Sequence, residues 1–158
     1  MSSADDKPVL VLGIGNLLLG DEGIGIHAVR RLHQEDLPPH VTLVDGGTGG
    51  FHLLEYFSTY PTIVLIDAAS DGRPTGTVSL ARPRYASDFP RSLTAHDIGL
   101  RDMIEAAALL GPLPAMFLVT VSIGGTPLME TTLSPEAERC LPEVAGLVRN
   151  LVTDLVAY

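Results

Sequence analysis

Short apolar runs punctuate the chain: Val9-Leu10-Val11-Leu12-Gly13-Ile14, Val41-Thr42-Leu43-Val44-Asp45, Thr62-Ile63-Val64-Leu65-Ile66-Asp67 and Ala115-Met116-Phe117-Leu118-Val119-Thr120-Val121. They are rich in β-branched residues and barely alternate, the pattern of strands covered on both faces by helices. Helical spacing fills the gaps. From Ile24, residues Ala28, Val29 and Leu32 share one stripe while Arg30, Arg31 and Gln34 fall off it, and Pro38-Pro39 closes the unit. Phe51 to Ser58 predicts a short helix with Leu54 and Phe57 inward. Thr94-Ala95-His96-Asp97 reads as a capping box. The helix it opens runs to about Leu110, burying Leu100, Ile104, Ala107 and Ala108, and Gly111-Pro112 stops it. Ser134-Pro135-Glu136 supplies a cap, a first-turn proline and an acid for a last helix to about Val156, with Pro142 as its candidate interruption. Gly76 to Leu80 is a weaker strand near a sheet edge, and residues 81–93 read as a loop.

The alternation of strands and helices predicts an α/β fold, a three-layer α/β/α sandwich whose mostly parallel sheet has about five strands. Residues 1–8 read as a flexible tail and 9–158 as a single domain, which suits a length of 158 residues. Ligands of such sheets bind beyond the carboxyl ends of the strands. Here those ends carry Gly15-Asn16, Asp45-Gly46-Gly47 and Asp67-Ala68.

Composition narrows the function classes. A hydrophobic content of 46% supports a sizeable core, and the formal net charge of −9 opposes a phosphate backbone, which argues against nucleic-acid binding. The 1 cysteine, Cys140, can form neither an internal disulfide nor a multi-thiolate metal site, which suits a reducing compartment. Two acids precede the first lysine, unlike a secretory signal, and no apolar run approaches the ~18 residues of a membrane span. The expectation is a cytoplasmic protein without a membrane partner.

Gly13-x-Gly15 invites a dinucleotide reading, but Leu18 stands where a third glycine is expected and Asp21-Glu22 puts negative charge where phosphates would lie. A second candidate joins Glu22, Asp67 and His96, brought to one edge by a parallel sheet. Two carboxylates and an imidazole suit nickel, zinc or a similar divalent ion. The same residues also fit a plainer account, with Glu22 and Asp67 as turn formers and His96 as a first-turn polar residue. Asp45 is open between a site role and a turn role, and Asn16 between holding the glycine loop and meeting a substrate. His27 is expected to pack or face solvent, and His33, His40 and His52 sit at no recognised ligand spacing. Cys140 reads as a small semi-buried hydrophobe, and no serine sits in a Gly-x-Ser-x-Gly elbow.

Taken in order, these motifs resemble those of the hydrogenase maturation endopeptidases. Gly13-Ile14-Gly15-Asn16-Leu17-Leu18-Leu19-Gly20-Asp21-Glu22-Gly23-Ile24-Gly25 is similar to the family's opening motif, and Asp45-Gly46-Gly47-Thr48-x-Gly50 to its second. Ile66-Asp67-Ala68, His96 and Leu133-Ser134-Pro135-Glu136 follow in the family's order, so the likeness runs from Val9 to about Val152. The segment Val121-Ser122-Ile123-Gly124-Gly125-Thr126-Pro127 departs from the glycine–isoleucine–glutamine–proline run of many members. The resemblance implies a cytoplasmic endopeptidase that removes the C-terminal extension of a nickel–iron hydrogenase large-subunit precursor after nickel insertion. It implies Glu22, Asp67 and His96 as nickel contacts, Asp45 and Asp67 as carboxylates of an aspartyl-type protease, and Asn16, Asp45, Gly46 and Gly47 as substrate-binding or loop-supporting residues. The nickel would come with the substrate's active site, other divalent ions occupying the ligands adventitiously, and the enzyme would act as a monomer. The alternative is a non-catalytic maturation module that binds the metal centre in the manner of a chaperone.

Overall fold

A computed structural model of the chain describes residues 7–91, 93, 100–125 and 129–157. Strand β1 (Val9–Gly13) leads through a 3₁₀ turn (Gly20–Gly23) into helix α1 (Ile24–Leu32), and β2 (Val41–Asp45) through a second (Phe51–Leu53) into α2 (Leu54–Thr59). Then come β3 (Thr62–Ala69), β4 (Val78–Ala81), α3 (Leu100–Leu110), β5 (Ala115–Ser122) and α4 (Pro135–Ala157). The strands form one sheet in the order β2-β1-β3-β5-β4, with β4 alone antiparallel to its neighbour.

Alternation divides the core into two layers. Val64 and Ile66 of β3 pack with Val29 and Leu32 of α1 and with Val144 and Val148 of α4. Ile63 and Leu65 pack on the other face with Leu53, Phe57, Met103 and Ile104, from the α2 and α3 side. Both faces are therefore dry, which explains why β1, β3 and β5 read as unbroken apolar runs.

Several expectations shift in detail. Asp67 does not end β3, because β5 outlasts β1 and keeps pairing with Asp67, Ala68 and Ala69. β2 is an edge strand and only half-buried, so its apolar run does not signal full cover. Leu54 and Phe57 pack inward as expected, and Leu53 of the 3₁₀ turn joins them as the fully buried leucine. Ala108 is exposed because α3 buries a single stripe of Leu100, Met103, Ile104 and Ala107. Pro142 does not interrupt α4: the buried stripe of Leu141, Val144, Ala145, Val148 and Val152 carries the helix through it. The loop expected at 81–93 contains a 3₁₀ turn, Ala86–Asp88. The capping box at Thr94–Asp97, His96 included, lies outside the described residues.

The tightest packing lies where α1 enters. A Cβ on Gly25 would collide with the carbonyl oxygens of Ile14 and Ile66, while a Cβ on Gly146 in α4 would meet nothing within 4 Å. Gly25→Ala is therefore expected to destabilise by about 3 kcal/mol or more, since two backbones would have to part. Gly146→Ala should stabilise by about 0.5–1 kcal/mol through helix propensity alone. Denaturant unfolding of both variants checks the pair.

Candidate active site at the carboxyl edge of the sheet

The chain leaves β1 toward β2 on one side and returns to β3 on the other, so the strand order reverses at the carboxyl ends of β1 and β3. In doubly wound folds this reversal of strand order is where ligands bind. Glu22 follows β1 and Asp67 lies in β3. Glu22 lies in the 3₁₀ turn after β1, and its carbonyl accepts the amide of Asn16 at 3.1 Å, folding the glycine loop back on itself. Ile14 N–H donates to Ile66 O at 2.9 Å, and Gly25 presses on the same carbonyl, which seats the head of α1 beside the residue preceding Asp67.

Both carboxylates are removed from bulk water, Glu22 at 7% exposure and Asp67 at 0%. Asp67 shares the strand parity of Ile63 and Leu65 and so faces the α2 and α3 layer, with one oxygen accepting the amide of Ala68 at 2.8 Å. Buried carboxylates demand compensating partners, and a bound cation is one way to supply them. His96 lies outside the described residues, and among those described no group of three or more histidine, cysteine or acidic side chains assembles around one point.

Asp45 sits differently. It is exposed at the end of the edge strand, shares the parity of Val41 and Leu43 on the opposite face, and accepts Gly47 N–H at 2.8 Å in a turn. Gly46 N–H donates to Gly13 O and Gly15 N–H to Gly47 O, each at 2.8 Å, so this turn is stitched to the loop after β1. Gly47 adopts φ of 58°, a conformation that favours glycine. Asn16 holds the loop from within: its side-chain oxygen accepts Leu18 N–H at 2.9 Å.

Other residues at this edge carry structural work that the sequence did not announce. Asp21 accepts both the amide and the hydroxyl of Ser134, each at 2.7 Å, while Ser134 Oγ caps Ala137 N–H at 3.2 Å. A carboxylate thus sits at the positive end of α4 and ties it to the glycine loop. The signal was the Ser-Pro-Glu helix start, but nothing in the sequence named its partner. Thr120, paired in register with Asp67, adds a buried polar side chain, visible only as a threonine in an apolar run. Asp71 accepts Ser122 Oγ at 3.1 Å and the Arg73 fork at 2.8 and 3.0 Å. Burial works to raise its pKa, yet hydrogen bonds from Arg73 and Ser122 outweigh it and hold the carboxyl below the usual range. His27 is half-buried on α1 and its pKa is lowered, first by desolvation and then by Arg30.

Cys140 is buried, donates to Ala137 O at 3.0 Å, and has its pKa pushed up to about 11, chiefly by desolvation. Such a thiol is protonated at neutral pH and is a poor nucleophile.

A family model described as hydrogenase maturation protease matches residues 26–150. The hydrogenase expression/formation protein HupD of Bradyrhizobium diazoefficiens is 36% identical over 132 residues, 80% of this chain and 66% of that protein, so the match spans just under two thirds of that relative. The hydrogenase 2 maturation protease of Escherichia coli is 35% identical over 144 residues, 84% of this chain and 88% of that one. This chain belongs to the hydrogenase maturation protease family. Among solved structures, the hydrogenase maturating endopeptidase HybD of Escherichia coli superposes with a TM-score of 0.82 at 31% identity, covering 93% of each chain. Membership makes a peptide-bond hydrolase the enzyme class that the carboxyl-edge site has to explain.

Two tests follow from the site's supports. Asp21→Ala should cost about 1–3 kcal/mol, because Ser134 loses a charged acceptor at a helix start, and thermal unfolding reads the loss. In the native protein Cys140 should resist iodoacetamide at pH 7.5 and react at once after denaturation, as followed by mass.

Proposed function

We propose that this chain removes the C-terminal extension of a nickel–iron hydrogenase large-subunit precursor once nickel has been inserted, and that the nickel it engages is the substrate's own. The observation that carries the reading is the pair of sequestered carboxylates, Glu22 and Asp67, beside the β1/β3 reversal of strand order in a chain from this family. Glu22, Asp67 and His96 engage the substrate's metal in an open arrangement that leaves room for the substrate's own ligands. Without the metal, docking a precursor over these two sequestered carboxylates bears their mutual repulsion and desolvation. The metal therefore serves as proof that loading is complete. Other divalent ions can occupy the same ligands when no substrate is present.

Hydrolysis of the scissile amide consumes one water: its oxygen bonds to the carbonyl carbon, the C–N bond breaks, and the leaving nitrogen takes a proton. A carboxylate can accept the water's proton and return it to the amine. With Asp67 committed to the metal, Asp45 at the exposed end of β2 serves that role, in aspartyl-type chemistry. Asn16, Gly46 and Gly47 hold the loops that receive the peptide. The reading places the enzyme with its precursor in the cytoplasm, acting as a monomer.

The test incubates purified protein with precursor, loaded or not with nickel, and measures the precursor's C-terminal mass. The extension is expected to disappear from the loaded sample only. Asp67→Ala and His96→Ala should abolish processing while the protein stays folded by circular dichroism, and Cys140→Ser should cut at close to the wild-type rate. Loss of the extension from both samples would remove the nickel gate. Loss from neither, where a known processing enzyme succeeds, would favour a binding module.

A further inference from the structure

Large apolar side chains stand exposed on three loops of the carboxyl edge: Leu18 at 62%, Phe51 at 54% and Met129 at 86%. Exposed apolar side chains are ordinary when scattered, but informative when they gather around a site. These loops are joined. The turn of residues 46–47 that leads toward Phe51 bonds to Gly13 and Gly15, and Gly20, in the loop after Leu18, donates its amide to Glu130 O at 2.7 Å. The backbone at or beside each of them is fixed. Leu18 N–H is fixed by Asn16, Phe51 opens a 3₁₀ turn whose inward residue is Leu53, and Met129 precedes the residue bonded to Gly20.

Resting on the proposed function, we propose that Leu18, Phe51 and Met129 form a docking rim that receives the apolar surface around the precursor's metal centre. Charge selects this occupant. Glu22 follows β1 and Asp67 lies in β3, at the sheet edge these loops border, and in the proposed function they meet the precursor's metal, so the surface received beside them presents a cation set within apolar surroundings. A second copy of this chain would bring another net charge of −9 and another acidic floor against the first. An anionic membrane surface would be repelled for the same reason. Methionine and aromatic residues are also the apolar types enriched where proteins meet.

The rim determines affinity for the folded precursor and leaves the bond-breaking groups untouched. Leu18→Ser, Phe51→Ser and Met129→Ser combined should weaken binding of the nickel-loaded precursor about tenfold or more by biolayer interferometry. Because all three side chains are exposed, the thermal midpoint should not move. As a control, Leu109→Ser with Leu110→Ser removes leucines exposed at 89% and 74% at the end of α3, by the opposite edge of the sheet. That pair should bind as the wild type does. Processing is scored by C-terminal mass in the same samples, which separates the rim from the proteolysis it rests on. Weaker binding by the triple variant supports the rim whether or not the wild type cuts. A triple variant that binds like the wild type, a control pair that loses as much, or a wild type that does not bind the loaded precursor overturns it.

Discussion

The structure depends on the absence of a side chain at Gly25. The head of α1 lies so close to the ends of β1 and β3 that backbone meets backbone, with the Ile14 and Ile66 carbonyls where a Cβ would stand. Gly13 and Gly15 answer from the strand side, where a Cβ would strike Gly25 O and Glu22 O. Close approach of a helix to a sheet is a known use of glycine after a first strand. Here it serves carboxylates where a dinucleotide-binding loop would serve phosphates, because the turn it closes contains Asp21 and Glu22.

From that contact the rest of the edge follows. Once the loop is pressed down, Glu22 turns into shelter from solvent, and Asp21 points the other way to the start of α4. Adjacent acids thus receive different settings: Asp21 satisfies a helix end and Glu22 is buried. Ser134 Oγ and the Gly20–Glu130 bond then fix the β5–α4 loop, and the Gly15–Gly47 bond fixes the β2–α2 loop. The loops at this edge are held by main-chain hydrogen bonds rather than by a second core. Such bonds leave their side chains available for a partner.

Each acid at this edge has its own setting: Asp71 meets a guanidinium fork and a serine, Asp21 meets a helix start, and Glu22 and Asp67 are sequestered from solvent beside the reversal of strand order. Sequestering carboxylates costs free energy unless charge or hydrogen bonds compensate.

The sequence by itself determined the layers. Largely apolar runs at Val9–Ile14, Thr62–Ile66 and Ala115–Val121 mean strands covered on both faces, and the 3.6-residue stripe after Ile24 means a helix, because burial periodicity is local. It also marked Glu22, Asp45 and Asp67 through an ordered set of motifs, and their strand-end positions located them at one edge. What only the tertiary structure decided was orientation and partnership. Asp45 and Asp67 look alike in sequence, each closing an apolar run, yet one is exposed on an edge strand and the other is buried in a ladder that β5 prolongs. The bond from Asp21 to Ser134 crosses 113 residues, and no local pattern encodes it. Burial of Leu53 alongside Leu54, and passage of α4 through Pro142, were likewise settled by what packs against them. Periodicity tells which face of an element is apolar; only the assembled neighbours decide how far each element extends and which polar group meets which.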